Sequence, residues 1–143
     1  MIVLDANVLL YAYHTAAPHH QRARRWLERT FSSGEQVRLP WATVLAFVRI
    51  GTNPRVFEHP LTMLEAIDHV ESWLDLPNVG VLEPSERYWS ILRDALVDAQ
   101  VIGPLVSDAA LAALAIEHGA TLATTDRDFS RFAGLRILDP LEE

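Results

Sequence analysis

Residues 120–129 have the sequence Ala-Thr-Leu-Ala-Thr-Thr-Asp-Arg-Asp-Phe, and this stretch constrains how the rest of the chain can be arranged. Its first four residues form a short, largely apolar run of the kind that fills a buried β-strand. Two acids, Asp126 and Asp128, follow that run closely. The stretch therefore predicts a strand that ends in an oxygen-rich cluster.

Two other acids occupy comparable places in the chain. Asp5 directly follows the apolar run 2–4, and Asp108 follows Ser107, a residue type that often caps helix N-termini. In open parallel sheets, ligands bind beyond the carboxyl ends of the strands. If the strands before Asp5 and Asp126 are neighbours, and the helix of Asp108 begins over the same edge, the three places form one acidic pocket.

Such a pocket has a definite chemistry. Carboxylates that are forced together repel one another and raise one another's pKa. A divalent cation removes this conflict, and all-oxygen ligation favours a hard ion such as Mg²⁺ or Mn²⁺. These ions serve phosphodiester hydrolysis by activating water, aligning it and stabilising the leaving oxygen. The three acidic places therefore predict a divalent-metal site.

Each acid also has a purely structural explanation. Asp5 can be a turn residue, and Asp108 can complement the dipole of its helix. Asp126 and Asp128 can form a turn or cap the short segment that follows them. The metal hypothesis therefore depends on the coincidence of the three places in one α/β chain.

Composition limits the classes of protein to which the chain can belong. The chain has 143 residues, half of them hydrophobic, which predicts one globular domain over residues 1–143. It has no cysteine, so disulfides, thiolate zinc sites and cysteine nucleophiles are excluded.

We expect no membrane span and no signal peptide, and these features are compatible with a cytoplasmic protein. The net charge is −7, with all 12 basic residues being Arg, which argues against a protein that coats nucleic acid electrostatically.

Short apolar segments alternate with amphipathic helices. Strands are predicted at 2–4, 36–39, 79–82, 121–123 and 135–138, and helices at 8–13, 19–31, 41–50, 63–74, 84–100 and 108–118. This order favours an α/β fold with a mostly parallel sheet of four to five strands flanked by helices. On the second helix, Arg22, Arg25 and Arg29 share one side, which is either a solvated face or a contact for phosphate or a partner.

The residues do not favour two other chemistries, aspartyl phosphotransfer and zinc binding. An aspartyl nucleophile of the haloacid-dehalogenase type requires a second Asp two residues after the first, and Asn7 occupies that place. A receiver domain requires a Lys late in the chain, and the chain has no Lys. The six His residues show no zinc-ligand spacing. Neither an aspartyl phosphotransfer site nor a zinc site is therefore favoured.

Three stretches together resemble the PIN-domain family, and specifically the VapC-type toxins of bacterial toxin–antitoxin pairs. They are Val-Leu-Asp-Ala-Asn at 3–7, Ser-Asp-Ala-Ala-Leu-Ala-Ala-Leu-Ala at 107–115, and Gly-Ala-Thr-Leu-Ala-Thr-Thr-Asp-Arg-Asp-Phe at 119–129. The segment 47–55, Phe-Val-Arg-Ile-Gly-Thr-Asn-Pro-Arg, is similar to a subgroup abundant in mycobacteria. The resemblance covers nearly the whole chain.

The resemblance implies a PIN fold and a Mg²⁺- or Mn²⁺-dependent endoribonuclease that cleaves structured RNA such as tRNA or ribosomal RNA. It also implies a homodimer and inhibition by a cognate antitoxin. Our own hypothesis is that the exposed parts of the helices at 19–36 and 41–50 form the groove for this partner. Asp5, Asp108 and Asp126 match the family's catalytic, metal-binding acids. Asp128 matches a further or outer-sphere member of the metal site.

One position departs from the family pattern. Most members carry a Glu on the helix at 41–50, and this chain has Ala46 there. The missing acid leaves open a PIN domain that binds RNA or a partner without cutting. Arg49, one helical turn further on, is predicted to face the pocket and bind phosphate. Asn7 and Thr125 are the other candidate substrate-binding residues.

Overall fold

The computed structural model describes residues 1–142, which form a parallel five-stranded sheet flanked by helices. The strands are β1 (Ile2–Leu4), β2 (Val37–Leu39), β3 (Val79–Val81), β4 (Thr121–Ala123) and β5 (Arg136–Leu138). The helices are α1 (Ala6–Tyr13), α2 (His20–Ser32), α3 (Trp41–Gly51), α4 (Met63–Leu74), α5 (Tyr88–Asp98) and α6 (Leu105–Glu117), with a 3₁₀ helix at Arg127–Arg131. The predicted α/β class is confirmed. Among the described residues, no helix is both long enough and apolar enough to cross a bilayer.

The first strand lies at the centre of the sheet, whose order is β3-β2-β1-β4-β5. β1 and β4 pair in parallel with Leu4 opposite Ala123. The pairing continues past the strand, because the backbone N–H of Asp5 donates to the carbonyl of Ala123 at 3.0 Å. The chain segments that leave β1 and β4 therefore start side by side at the same edge.

Apolar side chains cover both faces of the sheet. On one face, α1 to α4 enclose a core that includes the fully buried rings of Phe47 and Trp73. On the other face, α6 presents buried alanines at Ala109, Ala112 and Ala115. Such small side chains let a helix axis lie close to the sheet, which fixes where the N-terminus of α6 meets the sheet edge.

The start of α6 differs from the prediction. The helix begins at Leu105, directly after Pro104, which has a helical φ of −59° and forms no side-chain cap. Proline suits the first positions of a helix because its φ is already helical. The expectation that Ser107 caps this helix is therefore wrong, whereas Asp108 does lie in the first turn.

The boundaries of α5 and α1 are also shifted. α5 begins at Tyr88 rather than at residue 84, because the backbone N–H and the hydroxyl of Ser85 both donate to the carboxylate of Glu117, at 2.8 and 2.6 Å. These bonds hold the segment before Tyr88 as a turn. α1 begins two residues earlier than predicted, at Ala6.

The predicted buried faces of α3 and α4 are only partly confirmed. Apolar periodicity predicts a core face of Val44, Leu45 and Val48 on α3; Val44 is buried together with Thr43 and Phe47, whereas Leu45 is 66% exposed. α3 has a single charged side chain, Arg49, so periodicity alone could not identify its buried side.

On α4 the predicted stripe is Met63, Ile67, Val70 and Leu74. Val70 is buried together with Ala66 and Trp73, whereas Met63 and Ile67 are exposed. Both helices present apolar side chains to solvent.

Candidate active site

The topology brings Asp5 and Asp126 to one edge of the sheet. Asp5 follows the last residue of β1, and Asp126 lies three residues beyond the neighbouring strand β4. Asp108, in the first turn of α6, approaches the same edge from the helix that precedes β4. The neighbour relationship on which the predicted acidic pocket depended is therefore present.

Both carboxylate oxygens of Asp5 are held by hydrogen bonds. Oδ1 accepts from the backbone N–H of Ala6 at 2.7 Å, and Oδ2 accepts from the hydroxyl of Thr124 at 2.8 Å. Burial raises the pKa of Asp5, and the nearby charge of Asp126 adds to the increase, while the bonds from Thr124 and Ala6 oppose it. Asp5 is thus an oriented carboxylate whose negative charge is poorly solvated.

The hydroxyl of Thr124 connects three parts of the site. It donates to Asp5, and it accepts from Asn7 Nδ2 at 3.3 Å and from the backbone N–H of Asp126 at 3.0 Å. One donor and two acceptor positions are the full capacity of a hydroxyl group. Because Thr124 is only 1% exposed, this network is shielded from water. Thr124 therefore fixes the relative positions of the β1 and β4 ends.

The negative charges of the other acids act on Asp108. Burial raises the pKa of Asp108, and the charges of Asp126, Asp5 and Asp128 raise it further, in that order, against a smaller opposing effect of Arg131. Mutual repulsion of this kind occurs only where carboxylates lie close together in a medium that screens poorly. The four acids therefore form one electrostatic cluster.

A cavity of about 320 Å³ lies at this edge of the sheet. Its lining includes Asp5, Asn7, Ala46, Arg49, Asp108 and Asp126. Three of the predicted metal-binding acids and two of the predicted substrate-binding residues therefore share one cavity, here called the acidic pocket. Ala46 and Arg49 contribute the wall formed by α3, one helical turn apart.

Two predicted site residues lie outside the acidic pocket. Asp128 sits on the 3₁₀ helix with its side chain 61% exposed, and one of its carboxylate oxygens lies 3.8 Å from Arg131 Nη2. The assignment of Asp128 as a further or outer-sphere member of the metal site stays a prediction. Thr125 lines a neighbouring cavity with Arg127, and its backbone N–H lies 3.5 Å from Asn7 Oδ1. Thr124 is the threonine that contacts a carboxylate.

The donor chemistry of the acidic pocket fits a hard divalent cation. It offers three carboxylates and the Asn7 amide, which are oxygen donors of the kind that Mg²⁺ and Mn²⁺ prefer. Within residues 1–142, no three His, Asp or Glu side chains already converge closely enough to enclose an ion. Carboxylates repel one another in the absence of a cation, and the charges of Asp5 and Asp126 raise the pKa of Asp108. Ion binding would therefore require the carboxylates to turn inward.

Comparisons with known proteins identify the family of the chain. The PIN-domain family profile matches residues 2–135, and the chain belongs to that family. It is therefore neither a haloacid-dehalogenase-like enzyme nor a receiver domain. Ribonuclease VapC37 of Mycobacterium tuberculosis is 42% identical over 140 residues, covering 98% of this chain and 97% of the relative. Ribonuclease VapC33 of the same species is 38% identical over 143 residues, covering all of both chains.

A solved structure has the same fold. The crystal structure of VapBC2 from Rickettsia felis, bound to a DNA fragment from its promoter, contains a chain that superimposes with a TM-score of 0.68. The match covers 96% of this chain and 98% of that one at 21% sequence identity. The likeness confirms that the sheet order and helical layers are those of a PIN-domain fold.

Proposed function

We propose that this protein is the toxin of a toxin–antitoxin pair, a Mg²⁺- or Mn²⁺-dependent endoribonuclease that cleaves structured RNA in the cytoplasm. The observation that carries the proposal is the acidic pocket, in which Asp5, Asp108 and Asp126 share one cavity and Asp126 raises the pKa of the other two. Relatives with the name ribonuclease, matched over almost the whole chain, support the reaction class.

Three acids would hold the cation, and their neighbours set their positions. Asp5 is oriented by Thr124 and Ala6, and Asp126 accepts from the backbone N–H of Asp128 at 2.9 Å. A bound divalent ion supplies the Lewis acidity that lets water attack a phosphodiester at neutral pH. No Ser, Cys or His nucleophile is then required. Asp128 contributes negative charge from outside the pocket.

Arg49 is the proposed phosphate-binding residue. It lines the acidic pocket, and its guanidinium group forms no hydrogen bond or ion pair with any residue between 1 and 142. An unpaired guanidinium at the edge of an anionic pocket suits bidentate contact with a phosphate group. Its charge offsets the repulsion that the acids exert on an incoming RNA backbone.

The antitoxin is proposed to cover exposed apolar side chains on α3, the helix that lines this pocket, and on α4. Leu45 on α3 and Leu64 on α4 are 66% and 72% exposed, and Met63 on α4 is also exposed. An antitoxin segment seated there could also insert an Arg side chain among the acids. Burial of apolar surface is the usual driving force for such association. A homodimer remains part of the proposal, to be tested by the sedimentation of the purified chain.

A second candidate function follows from Ala46. This residue lines the acidic pocket at the place where the resemblance leads us to expect a Glu. With one carboxylate fewer, the site could bind RNA or a partner without cutting. Titration with Mn²⁺ distinguishes the two functions. Binding that is lost in the Asp5→Asn, Asp108→Asn double variant supports the nuclease, whereas no binding in the wild type supports the non-catalytic module.

The decisive experiment is induced expression of the wild type and of Asp5→Ala, followed by mapping of RNA 5′ ends. The nuclease proposal expects growth arrest and discrete new 5′ ends with the wild type only. Asp68→Asn, which removes an exposed acid on α4, is the matched control and should behave as the wild type. Arrest that survives Asp5→Ala would contradict the proposed chemistry.

A further inference from the structure

A second cavity opens beside the acidic pocket. Its volume is about 330 Å³, and its walls come from the residues that follow β2 and β3, from α3 and from the start of α5. Leu82 and Leu114, both almost fully buried, are among its lining residues. Ala42 lines both cavities, so the two are neighbours separated by a single small side chain.

Two aromatic residues line this second cavity. Trp41 is 50% exposed, and its indole contacts no other aromatic ring within residues 1–142. Tyr88 stands at the start of α5, where its hydroxyl donates to the carbonyl of Ala110 at 3.0 Å. That bond fixes the Tyr88 ring, while the Trp41 side chain is half exposed. A partly exposed aromatic ring beside apolar side chains suits a flat, polarisable ligand.

The wall of the second cavity is held by a buried charge. The side chain of Glu117 is fully buried, and its carboxylate accepts both hydrogen bonds from Ser85. Arg87 donates to the carbonyl of Glu117 at 2.6 Å, and His118 Nε2 lies 3.0 Å from the carbonyl of Glu83. The turn that carries Glu83 and Pro84 is therefore fixed before any ligand arrives. Glu117 takes no part in the proposed cleavage chemistry. Its role is to hold the turn that forms this wall.

We propose that the second cavity is a base pocket, which receives an unstacked nucleobase of the RNA whose phosphate lies in the acidic pocket. The inference rests on the proposed function and adds a second contact to it. The acidic pocket lies beyond β1 and β4 and the second cavity beyond β2 and β3, so two strand spacings of about 4.8 Å each place them on the order of 10 Å apart. That separation suits a phosphate and a flanking base. Stacking of bases on aromatic side chains is a general mode of single-strand recognition.

Glu83 adds a preference among bases. It lines the base pocket, it is exposed, and its carboxylate has no hydrogen-bond partner within residues 1–142. A carboxylate accepts hydrogen bonds from exocyclic amino groups such as that of cytosine. Uracil has no amino group, so we expect the pocket to favour cytosine over uracil.

The test measures binding rather than cleavage. Fluorescently labelled oligocytidylate, oligouridylate and an abasic oligomer of equal length are titrated with the full chain in EDTA, with fluorescence anisotropy as the readout. The wild type should bind oligocytidylate most tightly. Trp41→Ala should weaken that binding by roughly 5- to 150-fold, the range that one base–aromatic stack supplies. Trp41→Phe should lose less, because a ring remains.

The controls separate stacking from other effects. Trp89→Ala removes a more exposed tryptophan that lies outside the base pocket, and it should leave binding unchanged. The abasic oligomer should bind the wild type and Trp41→Ala equally. Thermal unfolding followed by circular dichroism verifies that each variant is folded, and sedimentation velocity reports its oligomeric state.

Three results would overturn the base pocket. The first is wild-type protein that binds the abasic oligomer as tightly as oligocytidylate, a result that needs no variant. The second is an unchanged affinity in Trp41→Ala. The third is a change of oligomeric state in Trp41→Ala without a change in RNA affinity, which would assign the cavity to a second copy of the chain. A different result would contradict the proposed nuclease function, namely RNA cleavage that persists in Asp5→Ala.

Discussion

The hydroxyl of Thr124 donates to Oδ2 of Asp5 at 2.8 Å, joining residues that are 119 positions apart in the sequence. Because the same oxygen accepts from Asn7 and from the backbone of Asp126, one buried atom holds both strand ends in place. Without this bond, the buried carboxylate of Asp5 would lose one of its two partners. Thr124 is therefore a positioning residue for the acidic pocket.

Thr124→Val should disturb both stability and function. The change preserves shape but removes the hydroxyl, which leaves buried polar groups unpaired at a cost of about 1–3 kcal/mol in the free energy of unfolding. Urea denaturation measures this loss, and Mn²⁺ affinity should fall as well. Thr125→Val is the matched control, since the Thr125 hydroxyl forms no hydrogen bond within the described chain. Equal effects of the two substitutions would refute the role assigned to Thr124.

Asp108→Asn should stabilise the metal-free protein at neutral pH. The pKa of Asp108 in the folded state is raised by burial and by Asp126, Asp5 and Asp128, so ionised Asp108 opposes folding. The folded state retains this proton more strongly than the unfolded state, so the penalty is absent below the unfolded pKa and is complete above the raised pKa. The gain in melting temperature measured in EDTA should therefore shrink as the pH falls towards about 4.

In the presence of Mn²⁺, the wild type should have a higher melting temperature than Asp108→Asn. The cation stabilises the wild type through its acids, and Asp108→Asn should lose most of that increment. Asp68→Asn, at an exposed position on α4, controls for the general effect of removing one negative charge. A melting temperature of Asp108→Asn below that of the wild type in EDTA would contradict the repulsion described for the acidic cluster.

Arg49→Ala should impair RNA binding more than the chemical step. Arg49 lines the acidic pocket and its guanidinium has no partner within residues 1–142, so its removal should weaken RNA binding by up to about tenfold and raise KM, while kcat changes less. Arg49→Lys should recover part of the affinity through its charge. Arg25→Ala, on the exposed side of α2, is the control. If Arg25→Ala has the same effect, RNA contact is spread over the surface and the specific role of Arg49 is wrong.

Glu117→Gln should destabilise the protein in a pH-dependent way. Burial acts to raise the pKa of Glu117, but the hydrogen bonds from Ser85, with help from His118 and Arg87, outweigh it and leave the pKa below its usual value. The ionised carboxylate therefore stabilises the fold above the unfolded pKa, and this contribution disappears as the pH falls through the folded pKa. The difference in unfolding free energy between wild type and variant should be larger at pH 7 than near pH 3. A difference in unfolding free energy that does not change with pH would show that the ionised carboxylate is not its cause.

The sequence was informative where local pattern and topology agree. The apolar runs before Asp5 and Asp126 were sufficient to predict two strands, and the alternation of strands with helices was sufficient to predict the parallel sheet. The sharing of one cavity by Asp5, Asp108 and Asp126 followed once β1 and β4 proved to be neighbours. Arg49 is among the residues that line this cavity, and its contact with phosphate stays a prediction.

Other features depend on contacts between distant residues. The late start of α5 is caused by Glu117, which is 32 residues beyond Ser85, and no local pattern of residues 84–88 reveals that partner. The choice of Thr124 over Thr125 as the organising hydroxyl depends on which side chain faces inward at the end of β4. The exposure of Leu45 depends on which side of an apolar helix meets the core. Each of these is decided by tertiary packing rather than by local preference.

The central place of β1 has a consequence for biosynthesis. The strand is translated well before its neighbour β4 and the acid Asp126. A polypeptide that terminates before residue 120 keeps Asp5 and Asp108 but leaves one side of β1 without a partner, and such open strand edges promote aggregation. Translation products that stop there therefore lack the complete acidic pocket, and only a chain extended past Asp126 can assemble it.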